Sequence, residues 1–125
     1  MATDELKSRP GYRIMTVPNG AQKGQKILRC SWPEQRELRK LGRLAQESKT
    51  EDPGADDGPG ESTLAMYKML AGFIPEWTLV DQLGKDLPQP QDDPQAFERL
   101  DSYTLTYFVP WGKDSLWKDV LPNVS

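Results

Sequence analysis

The sequence predicts a small α+β protein that is mostly helical, with an N-terminal β-hairpin followed by three or four helices. Two extended segments around a turn-rich loop predict the hairpin, and apolar residues repeating at helical spacing predict the helices. A turn anchored by Trp77 connects the second and third helices. The chain has 125 residues, which is enough for one domain with one modest core.

The predicted hairpin lies between residues 12 and 30. Residues 12–17 and 25–30 are extended segments with imperfect alternation, and Pro18-Asn19-Gly20 opens the loop between them. The loop is longer than the two residues that best define a hairpin, so the register does not follow from the sequence. Two strands alone are only marginally stable, and we therefore expect the hairpin to pack on other elements.

The first helix is predicted over residues 34–47. Ser31 followed three residues later by Glu34 matches a capping box, and Pro33 suits a first helical turn. Apolar residues at helical spacing form one stripe of this helix. The remaining positions include four basic residues, Arg36, Arg39, Lys40 and Arg43. They form either a solvated face or a basic surface for an acidic partner.

Further helices follow in the second half of the chain. Residues 62–73, capped by Ser62 or Thr63, are apolar enough to lie centrally in the core. Residues 94–108 follow an Asp-Pro pair that is typical of a helix start, and they predict a third helix. Residues 114–121 predict a short last helix.

The segment that joins the second and third helices, residues 73–100, is predicted to be a compact connector. Trp77–Val80 combines aromatic and β-branched residues and is expected to be extended. Asp81–Gly84 is expected to form a tight turn, since Asp81 can bond nearby backbone and Gly84 can take positive φ.

The domain organisation predicted from composition is simple. Residues 1–10 are polar and are expected to form a disordered tail, which leaves residues 11–125 as a single small domain. Within it, residues 50–61 are rich in Asp, Gly and Pro and predict a flexible acidic loop.

Composition excludes several kinds of chemistry. The chain has no histidine and one cysteine, Cys30. Imidazole metal sites, His-dependent triads, multi-cysteine metal clusters and an intrachain disulfide are therefore excluded. No glycine-rich phosphate loop is present. We expect a non-enzymatic protein without a metal or cofactor. No apolar run is long enough to span a membrane, so we expect a cytoplasmic protein.

Charge is distributed unevenly. Residues 1–49 hold 11 Lys/Arg and 5 Asp/Glu, a net +6, whereas residues 50–125 hold 5 and 14, a net −9. This asymmetry is consistent with a basic half that faces nucleic acid, or with two surfaces that attract each other within a chain or between copies. We favour the second interpretation because the acidic half opposes phosphate binding.

Candidate partner-binding residues are the apolar side chains of the second helix, the connector and the C-terminal segment. They are Met66, Met69, Phe73, Trp77, Trp111, Leu116 and Trp117. The methionine-containing stripe belongs either to the core or to an adaptable partner groove. The C-terminal segment likewise either covers the core or binds a partner.

One series of residues points to a family. In the connector it comprises Trp77-Thr78-Leu79-Val80-Asp81, Gly84, Leu87-Pro88 and Asp93-Pro94-Gln95-Ala96-Phe97. A short hairpin followed by a helix with a polar cap and an acidic residue, here Ser31 and Glu34, precedes it. Together these features, across about residues 25–108, resemble the tail assembly chaperones of long-tailed bacteriophages.

The resemblance implies a non-enzymatic assembly factor. Such chaperones bind the tape-measure protein, recruit tail-tube subunits through it, and are absent from the finished virion. Two alternatives stay open: another structural or adaptor protein of the virion, and a small nucleic-acid-associated regulator that uses the basic helix at residues 36–43. No helix-turn-helix or RNA-binding signature is present, so nucleic acid is the less expected partner.

Overall fold

The structure, a computed structural model, describes residues 6–110 and 114–121 and confirms the α+β class. Its elements are β1 (Tyr12–Thr16), β2 (Lys26–Cys30), α1 (Gln35–Thr50), a short 3₁₀ turn (Ala55–Asp57), α2 (Glu61–Phe73), β3 (Glu76–Trp77), a 3₁₀ helix (Pro94–Arg99) and α3 (Ser102–Tyr107). The strands form an antiparallel sheet in the order β1-β2-β3, and α1 packs against α2.

β1 and β2 form the predicted hairpin. All five residues of each strand are paired, with Ile14 opposite Leu28. At the loop, the Val17 N–H donates to the Gln25 carbonyl (2.9 Å) and the Gly24 N–H donates to the Val17 carbonyl (2.9 Å). Two residues of one strand therefore oppose one residue of the other, which is the arrangement of a β-bulge.

β3 extends the hairpin into a sheet. The sequence predicts this segment as extended but not as paired, and the structure places Trp77 opposite Ile27. Beyond the strand, the Thr78 N–H donates to the Lys26 carbonyl (2.9 Å), and the Lys26 N–H donates to Thr78 Oγ1 (2.9 Å). The connector is thereby attached to the hairpin, which gives the two predicted strands the partner that they need.

The predicted capping box at the start of α1 is wrong. The N-cap is Glu34, with extended φ and ψ and no side-chain cap, and its carbonyl accepts the N–H of Glu37 (3.0 Å) and of Leu38 (3.1 Å). Pro33 lies before the helix, not in its first turn. A residue that precedes proline avoids helical conformation, so the helix starts only after Pro33.

The N-terminus of α2 is capped by a side chain from the C-terminal end of α1. The predicted caps Ser62 and Thr63 lie inside the helix, and their N–H groups donate to the carboxylate of Glu51 (2.8 Å each). The Thr63 hydroxyl also donates to Glu51. This bond is the largest cause of the lowered pKa of the Glu51 carboxyl. Glu51 is the C-cap residue of α1, so its side chain connects the end of α1 to the start of α2.

The tight turn predicted at Asp81–Gly84 is present. Asp81 Oδ1 accepts the N–H of Leu83 (2.8 Å) and of Lys85 (3.0 Å), and Gly84 has φ of +82°. The bond from the Lys85 N–H is the largest cause of the lowered pKa of Asp81. The turn closes as the sequence predicts because the hydrogen bonds that define it are local.

The single helix predicted over residues 94–108 is divided in two. A 3₁₀ helix follows Asp93, whose side chain accepts the Gln95 N–H as predicted, and α3 begins behind a second cap, Asp101. Asp101 has extended backbone and accepts both the N–H and the hydroxyl of Thr104 (3.1 and 2.8 Å). This side-chain bonding competes with helical continuation and restarts the chain as a new helix.

Two predictions at the chain ends are corrected. Residues 114–121 form consecutive turns, not a helix. Within the predicted disordered tail, Leu6 is buried and Arg9 pairs with Glu76 of β3, so residues 6–10 are attached to the domain. An apolar side chain and an ion pair thus overcome the polar composition of this segment.

The core centres on an aromatic group around Trp77. The Trp77 ring lies 5.0 Å from Phe97 and 6.3 Å from Phe108 between centroids, and its indole N–H donates to the Pro88 carbonyl (3.1 Å). Trp77 therefore anchors the connector, as predicted. Of the helices in the described ranges, none combines the length and the apolar character that crossing a bilayer would require.

Candidate functional site

Most of the predicted partner-binding residues lie in the core. The side chains of Met66, Trp77, Leu116 and Trp117 are buried, and Met69 and Phe73 are partly buried against the core. Trp111 lies outside the described residues. Within the described residues, the methionine-containing stripe of α2 therefore belongs to the core. At its C-terminal end, Phe73 packs against Trp117 of the C-terminal segment.

The C-terminal segment, residues 114–121, docks on the domain through Trp117. Its indole N–H donates to the Phe108 carbonyl (2.8 Å), and its ring packs edge-on against Phe73 with centroids 5.3 Å apart. The Ser115 hydroxyl donates to the Val109 carbonyl (2.8 Å). Of the two roles predicted for this segment, the fold shows core covering.

A buried arginine fastens the same segment to the sheet. The Arg29 guanidinium has no exposed surface and donates to the carbonyls of Cys30 (3.0 Å), Ser31 (3.3 Å) and Leu116 (2.7 Å). It also donates to both carboxylate oxygens of Asp119 (2.6 and 3.2 Å). These bonds hold the pKa of Asp119 below its usual range. Every bond joins groups of this chain, so we assign Arg29 a structural role.

The four basic residues predicted on the first helix form one exposed surface, which we call the basic face. It consists of Arg36, Arg39, Lys40 and Arg43. At 100° per residue these positions lie on the side of α1 opposite its buried residues Leu38, Leu41 and Ala45. Arg36 pairs with Glu34 (3.2 Å), and the other three make no ion pair with any described residue.

The most exposed large apolar side chain in the described ranges lies four residues before Arg36, the first residue of the basic face. Trp32 is 81% exposed, compared with 78% for Leu83 and 41% for Ile14. It precedes Pro33, which is buried, and it enters neither the sheet nor α1. Sequence reasoning missed Trp32. The available signal was its position between a strand and a helix, outside both apolar periodicities.

The acidic loop predicted at residues 50–61 has a defined turn. The Gly54 N–H donates to the Gly58 carbonyl (2.8 Å) and the Gly58 N–H donates to the Ala55 carbonyl (3.0 Å). Asp56 and Asp57 lie at the tip with φ of 56° and 59° and are exposed. No ion pair joins this loop to the basic face among the described residues.

Two open clefts interrupt the surface. The larger, about 860 Å³, lies between the hairpin loop and the Asp81–Gly84 turn and includes Gln22, Leu83 and Arg99. The smaller, about 550 Å³, lies between β1 and residues 114–119. In the described ranges, no three or more His, Cys, Asp or Glu side chains are grouped so that they could hold a metal ion. The cleft walls mix charged and apolar groups.

Comparison with known proteins adds no relative: no family model, no curated protein and no solved structure matches the chain. The resemblance to tail assembly chaperones thus rests on the residues quoted for it. Trp32 and the basic face are the candidate functional site of this chain.

Proposed function

We propose that this protein is a non-enzymatic assembly factor of the tail-chaperone type. In this proposal it acts in the cytoplasm of a phage-infected cell, where it binds a tape-measure protein and recruits tail-tube subunits through it. The observation that supports a protein-binding role is the exposure of Trp32 (81%), four residues before the first arginine of the basic face.

Tryptophan and arginine are the residue types that most often dominate the energy of protein interfaces. Here Trp32 and Arg36 are both exposed and four positions apart, at the junction of β2 and α1. An indole of this exposure leaves a large apolar area in water, and covering it is a strong contribution to association. The conformation of this junction is constrained, because Pro33 is buried and α1 begins at Gln35, directly after its N-cap Glu34.

The experiment is a pull-down of the tagged chain co-expressed with the tape-measure protein and the tail-tube protein encoded beside it. We expect Trp32→Ala to abolish capture of the tape-measure protein. Leu83→Ala is the matched control, because it removes another exposed large side chain, at 78%, from a turn away from α1. Undiminished capture by Trp32→Ala, or equal losses in both variants, would contradict the proposal.

A second candidate function is binding of single-stranded nucleic acid. The same surface favours it, because an exposed aromatic ring beside Arg and Lys side chains can stack a base and contact phosphates. The acidic residues that give the whole chain a net charge of −3 oppose it. Binding of a labelled oligonucleotide that weakens steeply with salt, without capture of either tail protein, would favour this function. Presence of the chain in purified virions would instead favour a structural or adaptor protein.

A further inference from the structure

The part of the basic face beyond Arg36 has no ion-pair partner in the ranges 6–110 and 114–121. Arg39, Lys40 and Arg43 are exposed and make no ion pair with a described residue. Together with Arg36 they place four positive charges along about 10 Å of helix. Like charges this close repel one another, and an acidic surface laid against them would relieve that repulsion.

A cluster of exposed acidic residues is present elsewhere on the molecule. Residues 51–61 contain five carboxylates and no basic residue. Glu51 is bound to the N-terminus of α2, and the other four side chains are exposed. They are Asp52, Asp56, Asp57 and Glu61. The exposed charges of the loop thus equal those of the basic face in number and are opposite in sign.

The fold keeps the two surfaces of one chain apart. The loop leaves the C-terminal end of α1, whereas the basic face lies in its N-terminal half. Glu51 directs the loop towards α2, and the Gly54–Gly58 hydrogen bond closes it into a compact turn. To reach Arg39 the loop would have to reverse over about the last three turns of α1, which would break these bonds. Pairing of the two surfaces is therefore available between copies.

We propose that this protein self-associates head to tail, with the acidic loop of one copy on Arg39, Lys40 and Arg43 of the next. The contact joins different surfaces of the two copies and is heterologous, so it can continue beyond a dimer. Exposed ion pairs are individually weak and are screened by salt. We therefore expect weak association at low ionic strength that disappears at high ionic strength. The inference does not depend on the partner proposed above, which is anchored at Trp32.

The test is sedimentation velocity of the full chain across a concentration series. It is run at about 0.01 M ionic strength, where the Debye length is about 30 Å, and at about 1 M, where it is about 3 Å. One variant, Arg39→Glu with Arg43→Glu, disables the basic face. The other, Asp56→Asn with Asp57→Asn, disables the loop, and asparagine tolerates the left-handed backbone at both positions.

The wild-type protein should associate only at low ionic strength, and each variant alone should remain monomeric. An equimolar mixture of the two variants should form a dimer, because one retains the loop and the other retains the basic face. Lys23→Glu with Lys68→Glu is the control, since it changes net charge as much as the arginine variant at exposed positions elsewhere. It should associate more than the arginine variant.

Three results would overturn the inference: a wild-type chain that is monomeric at low ionic strength, variants that associate as the wild type does, or a mixture that stays monomeric. Capture of the tape-measure protein by the two variants tests the proposed function separately. In the arginine variant a partial loss is expected, because Arg39 and Arg43 belong to the basic face. The Asp56→Asn, Asp57→Asn variant should retain full capture, because Trp32 and the whole basic face are unchanged in it.

Discussion

Arg29 and Asp119, 90 residues apart in the chain, form a two-bond ion pair that attaches the C-terminal segment to β2. The arginine is fully buried, whereas the Asp119 side chain is 41% exposed. The guanidinium also lies over the Trp117 ring, 5.2 Å from its centroid. The charge of Arg29 is thus neutralised by a segment that contributes nothing to the sheet itself.

Asp119→Asn should destabilise the protein by about 1–3 kcal/mol, because it leaves a buried guanidinium without its counter-charge. The three carbonyl acceptors of Arg29 and the exposure of Asp119 keep the loss below that of a fully buried pair. Urea unfolding followed by tryptophan fluorescence measures it. Asp114→Asn, at an exposed position of the same segment, should have almost no effect, and equal midpoints for the two variants would refute the structural role of Arg29.

Trp77→Ala should destabilise the fold by roughly 3–5 kcal/mol, the usual cost of removing a large aromatic side chain from a core. Trp77 is fully buried among Phe97 and Phe108. Trp32→Ala provides the comparison, since its side chain is exposed and should change stability by less than about 0.5 kcal/mol. A small loss for Trp77→Ala would show that the connector is not anchored by this ring.

Stability should fall in acid, beginning near pH 4.5. The pKa values of Glu51 and Asp119 are lowered from ordinary values of 4.5 and 3.8. A lowered pKa in the folded state means that the contribution to stability is complete above the ordinary value and is lost as pH falls through the folded-state value. Urea midpoints measured between neutral pH and about pH 3 should show this fall. Glu51→Gln should make stability depend less on pH in this range. An unchanged pH dependence would mean that the titration of Glu51 does not contribute to stability.

Gly20→Ala should destabilise the protein more than Gly24→Ala. Both glycines have positive φ, +83° and +89°, so each substitution carries a backbone cost of about 1–2 kcal/mol. At Gly20 the added methyl would also meet the Tyr103 ring, 2.7 Å from Cδ1, whereas nothing lies within 4 Å at Gly24. We expect a further loss of about 1 kcal/mol at Gly20. Thermal unfolding of both variants measures the difference in stability. Equal losses would show that Tyr103 moves away from the added methyl group without cost.

Elements that depend on neighbouring residues could be predicted from the sequence. The hairpin, the cores of α1 and α2 and the Asp81–Gly84 turn follow from periodicity and turn chemistry. The basic face was predicted as well, because its four residues share one side of a single helix. Each of these features is encoded within a few residues.

Features that join distant parts of the chain were decided by the tertiary structure. The capping of α2 by Glu51, the pairing of β3 with β2 and the burial of Arg29 each depend on residues that meet only after folding. The burial of the predicted partner-binding side chains could not be predicted either. Apolar spacing does not show whether another segment covers a stripe or leaves it exposed. The sequence by itself determined the local elements and their charges, and the tertiary contacts decided which surfaces stay exposed.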